Sequence, residues 1–415
     1  MSALKDVESV SPREDVVIAD AVRSPLSPCR PDSALAGVAA PVLLAQVGLA
    51  LLNRTLLEPT AVTNVLVAGG AGFDEIAKET CRLMGVAPQP AAPLGACGSQ
   101  QSIIHTAARM VGRRDVVLVL ATAKPDPFQP AHQACRRGIK AELVASQWKL
   151  GRAELDAYAQ RSQRRAREVA AMGEFGQEII PAVVWSPESR RVITADETIP
   201  DSSPDIGEEP LFYDPDIARR HPEIGWCLHA GNVSRPVIGA AATILLGSDR
   251  AEELGVRPRA RILALAECPH IPDSPLFGPM RASRAVFERT RIDPDDLDHC
   301  EINEAFPSTP LAWYHEFNAD SSRLNPRGGS IGLGRPGPAA GLRSLATALS
   351  ALQATGGRLG IQVSEGRGSA GDALLIESLP RPVCHSEAAR ATWWKERLVS
   401  GETAVGGRTG ASAPE

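Results

Sequence analysis

The 415-residue sequence lacks several features that would place it in a broad class of protein. Its net charge is −5, with no excess of basic residues, which argues against nucleic acid as a partner. It contains no run of about 18 uninterrupted apolar residues, so we expect no membrane span. Residues 1–20 are charged and polar rather than apolar, so we expect no secretory signal and a cytoplasmic protein.

Motifs for a disulfide framework, a metal site or a redox cofactor are missing as well. The eight cysteines are scattered and form no CxxC pair. In a chain of this length that pattern favours reduced, mostly buried thiols over disulfides or a zinc site. The glycines at 69–72 follow a strand candidate but lack the full dinucleotide fingerprint. We therefore expect neither a metal nor a bound cofactor.

What is present is an alternation of short apolar runs, rich in β-branched residues, with longer helical patterns. The helical patterns cover 36–54, 99–112 and 339–353. This alternation predicts an α/β fold in which helices cover sheets. The strand candidates are 15–23, 64–70, 115–123, 261–268, 358–366 and 373–379.

Two stretches of the chain repeat one another. Residues 51–68 and 286–303 align at a constant offset of 235. In each, an Arg-Thr pair precedes a proline, Pro59 or Pro294, which leads into a buried strand. The same order of glycine-containing turn, helix and strand follows both copies. The repeat predicts two similar halves that face each other.

The segment between the repeats differs from them in residue composition and pattern. It contains a Pro-rich loop, a charged amphipathic helix and a polar stretch, which together indicate an inserted lobe. The last residues are small and polar and are expected to be partly disordered. The predicted organisation is an N-terminal half at 15–250 that includes the lobe at about 124–225, a C-terminal half at 251–379, and an extension at 380–415.

Cys97 is the first candidate for chemistry. It lies between a glycine-bearing turn and a helix expected to begin near Ser99. Backbone N–H groups and the helix dipole at such a position favour the thiolate, which is the form that attacks carbonyls. The turn also provides backbone donors for an oxyanion. A packed thiol in a strand-to-helix turn is the other interpretation.

Polar and glycine-rich loops follow strand candidates in the second half. "CEINEAFPS" at 300–308 places Asn303 and Glu304 at the end of a strand, where α/β proteins commonly carry their chemistry. A cap is the alternative role for Asn303. A glycine-rich turn at 328–341 and the segment "QVSEGRG" at 362–368 come next.

Taken together these segments resemble the thiolase family, from about residue 15 to residue 379. Residues 229–262 are similar to the family segment in which a serine contacts the pantetheine arm and a helix follows at "GAAA". The family's other motifs correspond to "CGSQ" at 97–100, "NEAF" at 303–306, "GGSIGLGRPGPAAG" at 328–341 and "SEGRG" at 364–368.

The resemblance implies a thiolase-like α/β fold. Two duplicated βαβαβαββ halves would form a five-layered α/β/α/β/α core, and the lobe would cover a coenzyme A site. An acyl-CoA or acyl-carrier thioester would be a substrate and not a cofactor. The lobe looks short between Ala123 and a helix expected near Ala141, where tetrameric relatives carry their tetramer-forming loop, so we expect a homodimer. Residues 381–399 could dock on their own domain or on a protein partner.

The resemblance also assigns residue roles. Cys97 corresponds to the nucleophile, and Asn303 to the asparagine that holds an oxyanion-stabilising water. The backbone N–H of Gly366, with that of Cys97, would form the acyl-oxyanion hole. Ser234 matches the pantetheine-contacting serine. Ile238 stands where the family usually has an aspartate, which is a departure in that loop.

Two further departures change the chemistry. Arg335 stands at the position of the family's histidine, and Ser364 at that of its second cysteine. A guanidinium is protonated at neutral pH and is no base. A serine hydroxyl without a partner base is a poor acceptor for an α-proton. The carbon–carbon bond-forming half-reaction therefore lacks both proton carriers, whereas a fixed cation would still favour the Cys97 thiolate.

Three functions stay open from the sequence. The first is a cysteine acyltransferase whose acceptor is an amine, an alcohol or an electron-rich carbon, or whose donor decarboxylates. The second is thiolase-type condensation or cleavage with another base, for which His132 and His229 are candidates. The third is a non-catalytic scaffold subunit, in which Arg335 would only pair with a structural carboxylate.

Overall fold

The described residues of the computed structural model are 8–10, 15–68, 73–87, 101–123, 131–185, 189–199, 209–270, 278–366, 368 and 370–380. They form the helices α1 Ala40–Thr55, α2 Phe73–Met84, α3 Ser102–Met110, α4 Ala131–Gln147, α5 Arg152–Ala171, α6 Pro215–Arg220, α7 Ser248–Glu253, α8 Gly278–Thr290, α9 Ser308–Phe317, α10 Ser330–Leu333 and α11 Ala340–Thr355. Their strands are β1 Glu8–Val10, β2 Val16–Arg23, β3 Ser27–Pro28, β4 Asn64–Ala68, β5 Val116–Ala123, β6 Ala182–Trp185, β7 Arg190–Ile193, β8 Val237–Gly247, β9 Ala260–Cys268, β10 His299–Ile302, β11 Leu359–Glu365 and β12 Gly371–Ser378. None of these helices has the length and the apolar character needed to cross a bilayer.

Most of the strands join in one sheet, in the order β10-β11-β12-β9-β2-β8-β5-β4. In its first half β4 is parallel to β5, and β8 runs antiparallel between β5 and β2. The second half repeats this arrangement, with β10 parallel to β11 and with β12 antiparallel between β11 and β9. The halves meet where β2 pairs with β9 over two residues. The repeated order confirms the duplication predicted from the sequence.

The helices form three layers around the two halves of the sheet. Helices α1 and α2 pack on the outer face of the first half. Helices α3 and α11 lie between the halves, and α8 and α9 cover the outer face of the second half. Because the two halves of the sheet pack on opposite sides of α11, twelve of its sixteen residues are buried. This is the five-layered α/β/α/β/α core expected from the sequence.

The predicted helices at 36–54, 99–112 and 339–353 are confirmed as α1, α3 and α11. Helix α1 begins at Ala40, and a proline occupies its first turn, where no backbone donor is needed. Helix α11 ends at Thr355 and is capped by Gly356, whose φ of 70° is the left-handed conformation that glycine adopts without strain.

The prediction of a helix at the "GAAA" segment is wrong. Residues Val237–Gly247 form β8, an eleven-residue strand in which every position is buried. Alanine favours helices intrinsically, but this segment lies between β2 and β5 with helices α1 and α11 against it. Small side chains allow that close layering, so tertiary packing overrides the local preference.

The inserted lobe also differs from expectation. Its first helix, α4, begins at Ala131 rather than near Ala141. Although the lobe interrupts the first half in sequence, its two long helices pack on the second half, α4 on α9 and α5 on α10. The lobe therefore lies over the edge of the sheet at which β10 and β11 end.

A buried carboxylate joins the lobe to that edge. Glu304, just after β10, is 1% exposed. One of its oxygens accepts hydrogen bonds from the Tyr158 hydroxyl at 2.6 Å and the Asn325 amide at 2.7 Å. The other accepts from the Ser162 hydroxyl at 2.7 Å and the Ile331 N–H at 3.0 Å. With four donors the buried group is satisfied, and it fixes α5, α10 and the turn after β10 relative to one another.

The glycine-rich turn is shaped around the same carboxylate. A Cβ at Gly329 would lie 2.4 Å from Cδ of Glu304. At Gly328, where φ is 76°, a Cβ would lie 2.6 Å from the Ser162 carbonyl oxygen. Glycine is required at both positions because the helix and the carboxylate approach the backbone so closely. This contact sets the direction in which the chain continues toward residue 335.

We predict that Glu304→Gln lowers the free energy of unfolding by about 1–3 kcal/mol. The amide nitrogen of glutamine cannot accept a hydrogen bond, so either the Asn325 amide or the Ile331 N–H loses its partner. Urea denaturation of the purified chain measures the change.

Tyr158→Phe is the matched control. It removes one donor and leaves the carboxylate the other three, so its cost should be about 0.5–1.5 kcal/mol. Equal, small losses for the two variants would show that the carboxylate does not hold the lobe in place.

Candidate active site

Backbone hydrogen bonds bring three of the predicted site segments together. The Asn303 N–H donates to the Val363 carbonyl at 2.9 Å, next to Ser364. The N–H and the hydroxyl of Ser234 both donate to the Ala305 carbonyl, at 3.1 and 3.0 Å. The ends of β10 and β11 and the loop before β8 are therefore fixed against one another.

The fourth segment is the turn that carries Arg335. The N–H of Arg335 donates to the Arg235 carbonyl at 2.8 Å, and the carbonyl of Arg335 accepts from the Val237 N–H at 3.2 Å. Gly334 has a φ of 95°, and a Cβ there would lie 2.3 Å from a methyl carbon of Val237. The glycine thus allows the turn to lie against the start of β8, which places Arg335 beside the loop of Ser234.

Asn303 and Ser364 occupy different environments at this edge. Asn303 is half-buried, and its side-chain oxygen accepts a hydrogen bond from the Ala305 N–H at 3.0 Å. Ser364 is 3% exposed and lies one residue before the end of β11, opposite Asp372. The asparagine therefore shapes the turn after β10 in addition to any role toward a ligand.

Gly366, predicted to contribute to the oxyanion hole, has a backbone partner in the structure. Its N–H donates to the Ala370 carbonyl at 2.8 Å and so closes the hairpin between β11 and β12. In this conformation the donor expected for the oxyanion hole is already used. It becomes available to an oxyanion only when that hydrogen bond opens.

The nucleophile candidate, Cys97, lies outside the described residues, as does the side chain of His132. Helix α3 begins at Ser102, with Gln101 before it, rather than near Ser99. The role of Cys97 therefore stays a prediction.

Arg335 has an unusual electrostatic environment. Its side chain is partly exposed, but its Nε is buried and has no hydrogen-bond partner among the described residues. No carboxylate of the described residues lies within 4.0 Å of its guanidinium. Burial, and to a smaller extent the charge of Arg137, lower the pKa of Arg335 to about 9, while the charge of Glu365 opposes the change. At neutral pH it is thus a cation in need of a counter-charge.

A second cation shares these neighbours. Lys140 is half-buried, and burial, together with the charge of Arg137, lowers its pKa, against the charge of Glu365. Glu365 also accepts a hydrogen bond from the Thr309 hydroxyl of α9. We refer to Arg137, Lys140 and Arg335 as the cation cluster.

Sequence reasoning missed two members of this cluster and their carboxylate. The signal was "CRRGIK" at 135–140, a basic stretch with no acidic residue. Glu365, likewise, directly follows the candidate Ser364. Neither pattern shows that α4 and the end of β11 meet, because that contact depends on the packing of α4 on α9.

Two buried histidines are poorly suited to act as catalytic bases. Nε2 of His229 lies 2.6 Å from a carboxylate oxygen of Asp156, and its Nδ1 accepts from the Gly231 N–H at 3.2 Å. Both ring nitrogens are therefore used. His105, on α3, is fully buried, and burial lowers its pKa to about 3, so it is neutral and weakly basic.

Comparison with known proteins agrees with this architecture. Residues 121–248 match the thiolase N-terminal domain and residues 256–378 match the thiolase C-terminal domain. The chain is 32% identical to the steroid 3-ketoacyl-CoA thiolase FadA6 of Mycobacterium tuberculosis over 88% of its own length and 94% of that protein. It is 30% identical to an acetyl-CoA acetyltransferase of Chromobacterium violaceum over 83% of its own length and 95% of that protein.

A solved structure supports the same conclusion. The acetyl-CoA acetyltransferase of Bacillus anthracis superposes with a TM-score of 0.74 and 25% identity, and the match covers 88% of this chain and 99% of that one. The duplicated halves, the five layers and the two matched domains leave one assignment: the chain belongs to the thiolase family and is an acyltransferase of the thiolase superfamily.

Proposed function

We propose that this protein forms an acyl-enzyme on Cys97 from an acyl thioester and passes the acyl group to an acceptor without removing an α-proton. The observation that carries the proposal is the half-buried guanidinium of Arg335, which has no counter-charge within 4.0 Å among the described residues. Its position is the one that the family resemblance assigns to a histidine.

The first half-reaction needs a thiolate and a way to stabilise negative charge. The Cys97 sulfur attacks the thioester carbonyl carbon, a carbon–sulfur bond forms, and the bond to the coenzyme A or carrier sulfur breaks. The leaving thiolate then takes a proton from solvent. A fixed cation lowers the pKa of a neighbouring thiol and stabilises a developing oxyanion. Arg335 can perform both tasks without exchanging a proton.

The second half-reaction is where the sequence departs from its family. A guanidinium beside the site and a serine hydroxyl at 364 supply no base for an α-carbon. The loss of one general base costs about 10²–10⁴ in rate, and here both bases are absent. An amine, an alcohol or an electron-rich carbon can attack the acyl-enzyme carbonyl without that step. We therefore assign acceptors of this kind to the site.

A thiolase-type condensation with another base has less support. His229, the described candidate, uses both ring nitrogens in hydrogen bonds. The homodimer, the choice between coenzyme A and a carrier, and a protein partner stay predictions.

Intact-mass analysis tests acyl-enzyme formation. After incubation with acetyl-, butyryl-, hexanoyl- and glutaryl-CoA, the wild-type chain should gain the mass of an acyl group with at least one donor. Cys97→Ala should gain none, because the attacking sulfur is gone. Cys29→Ala, which removes a different thiol that is half-buried, is the matched control and should label as the wild type does. No adduct with any donor would favour the scaffold function instead.

A restored pair of proton carriers tests the account of the second half-reaction. The double variant Arg335→His with Ser364→Cys should cleave acetoacetyl-CoA with free CoA at least about 10²-fold faster than the wild type. Each single variant should gain less, because each restores one carrier. If the folded double variant is no faster than the wild type, the missing bases are not what limits thiolase chemistry in this chain.

A further inference from the structure

Ser364 lies directly opposite a buried carboxylate that has no role in the chemistry described so far. In the antiparallel pairing of β11 with β12, its register partner is Asp372. Ser364 is 3% exposed and Asp372 is 1% exposed. Residues paired in this way have their side chains on the same face of the sheet, with Cβ atoms about 4.5–5.5 Å apart. A carboxylate thus accompanies the serine at the position of the family's second cysteine.

Both side chains face the central layer of helices. Two residues before Ser364, the Gln362 amide donates to the Gly341 carbonyl of α11 at 2.6 Å. Two residues after Asp372, Leu374 packs in the hydrophobic cluster between the halves. Because alternate residues of a strand share a face, Ser364 and Asp372 face this layer as well. Strand β12 therefore carries a carboxylate on a face where its next residue is apolar, and carries it opposite Ser364.

The next carboxylate on this face is held by other groups. Glu267 of β9 is the register partner of Asp372 on the side away from β11. One of its oxygens lies 3.0 Å from an Nη of Arg109, and the other lies 3.4 Å from Nδ1 of His105, both on α3. Glu267 is thus tied to α3, and Asp372 is the carboxylate adjacent to Ser364.

The Ser364 hydroxyl can serve two partners at once. It forms no hydrogen bond with another described residue. Its oxygen is one bond beyond its Cβ, and the oxygens of Asp372 are two bonds beyond theirs. At the separation of a register pair, a change of rotamer brings the two groups within hydrogen-bond distance. A hydroxyl donates one hydrogen bond and accepts up to two, so Ser364 can donate to Asp372 while it accepts from a ligand.

We propose that Ser364 and Asp372 form the proton relay of the second half-reaction, in which Asp372 takes up the proton that the acceptor releases. This inference rests on the proposed acyl transfer and supplies the base that an alcohol or amine acceptor needs. Asp372 does not touch the acceptor in this scheme and acts through Ser364.

The relay balances as follows. An acceptor O–H or N–H donates a hydrogen bond to the Ser364 oxygen, and the acceptor oxygen or nitrogen forms a bond to the acyl carbon. The acceptor proton moves to Ser364 while the serine's own proton moves to Asp372. The bond between the acyl carbon and the Cys97 sulfur breaks, and the sulfur leaves as a thiolate. Asp372 then returns its proton to solvent.

An O–H or N–H acceptor suits this relay better than a C–H acid does. The relay needs a hydrogen-bonded chain from the acceptor to the carboxylate, and C–H groups form only weak hydrogen bonds. The proton of an attacking alcohol or amine also becomes more acidic as the new bond forms, so a carboxylate can accept it at that stage. The pair therefore favours an alcohol or an amine over an electron-rich carbon as the acceptor.

The decay of a preformed acyl-enzyme tests the relay. Wild type and Asp372→Asn are acylated with one acyl-CoA donor, freed of CoA, and mixed with ethanolamine, with glycerol or with buffer alone. Asp372→Asn should acylate as the wild type does, because the first half-reaction does not use the relay. With at least one acceptor its loss of acyl mass should be at least about 10²-fold slower. Glu267→Gln removes the carboxylate tied to α3 and is the matched control, which should decay as the wild type does.

A double variant shows whether the two residues act as a unit. Ser364→Ala should slow the decay about as much as Asp372→Asn, and the combination should be no slower than either single variant, because each breaks the same relay. Slowing that multiplies in the double variant would contradict the relay.

Three other results would overturn the inference. The first is decay of the Asp372→Asn acyl-enzyme at the wild-type rate with every acceptor. The second is acylation slowed by the same factor as decay, which would give Asp372 a structural role alone. The third is loss of deuterium from deuterated acetyl-CoA in the wild type but not in Asp372→Asn, which would show that the pair acts on an α-carbon.

A thiol at position 364 tests the pairing independently of acyl transfer. In a Cys97→Ala background, Ser364→Cys is alkylated with iodoacetamide over a range of pH, and the labelled peptide is quantified. A neighbouring carboxylate disfavours a thiolate, so Asp372→Asn should lower the pKa of this thiol by about one unit or more. That shift, with no acyl adduct on the wild type, would contradict acyl transfer and the relay that rests on it. Adducts on the wild type without the shift would contradict the relay alone.

Discussion

A half-buried guanidinium with no carboxylate of the described residues within 4.0 Å, that of Arg335, determines what the site can do. Burial and, to a smaller extent, the charge of Arg137 lower its pKa to about 9 against the charge of Glu365, because burial disfavours the charged form. Such a group favours any negative charge that forms or binds beside it. A thiolate and an oxyanion are two anions that acyl transfer can bring there. The guanidinium of Arg335 does not exchange protons at neutral pH. The proposal that the protein keeps the acylation half-reaction but does not remove an α-proton follows from that.

Key polar groups of the surrounding scaffold have hydrogen-bond partners of their own. The carboxylate of Glu304 has four donors, and the turns that carry Ser234 and Arg335 are joined by backbone hydrogen bonds. The glycines at 328, 329 and 334 allow those approaches. An unsatisfied cation can persist here because the elements around it are fixed by contacts that do not depend on it.

The sequence predicted the layers well and the site in part. Strands and helices with strong periodicity, such as α1 and α11, were found, and the repeat at 51–68 and 286–303 predicted the duplicated sheet. The family resemblance led us to expect a helix at β8, and the helical preference of its alanines gave no warning that packing would make it a strand. The approach of Glu365 to Lys140 could not be found from spacing, since the two residues are far apart in the chain and the approach depends on the packing of α4 on α9. The hairpin hydrogen bond of Gly366 was missed for a similar reason: it depends on the register of β12 and not on the motif.

The reactivity of Cys97 tests the central claim most directly. The rate of its alkylation by iodoacetamide, measured against pH in the wild type and in Arg335→Gln, reports the pKa of the thiol. We predict that the wild-type thiol titrates well below the ordinary value of about 8.5 and that removal of the guanidinium raises this pKa by about one unit or more. Profiles that coincide, with the thiol unreactive in both proteins, would contradict the account.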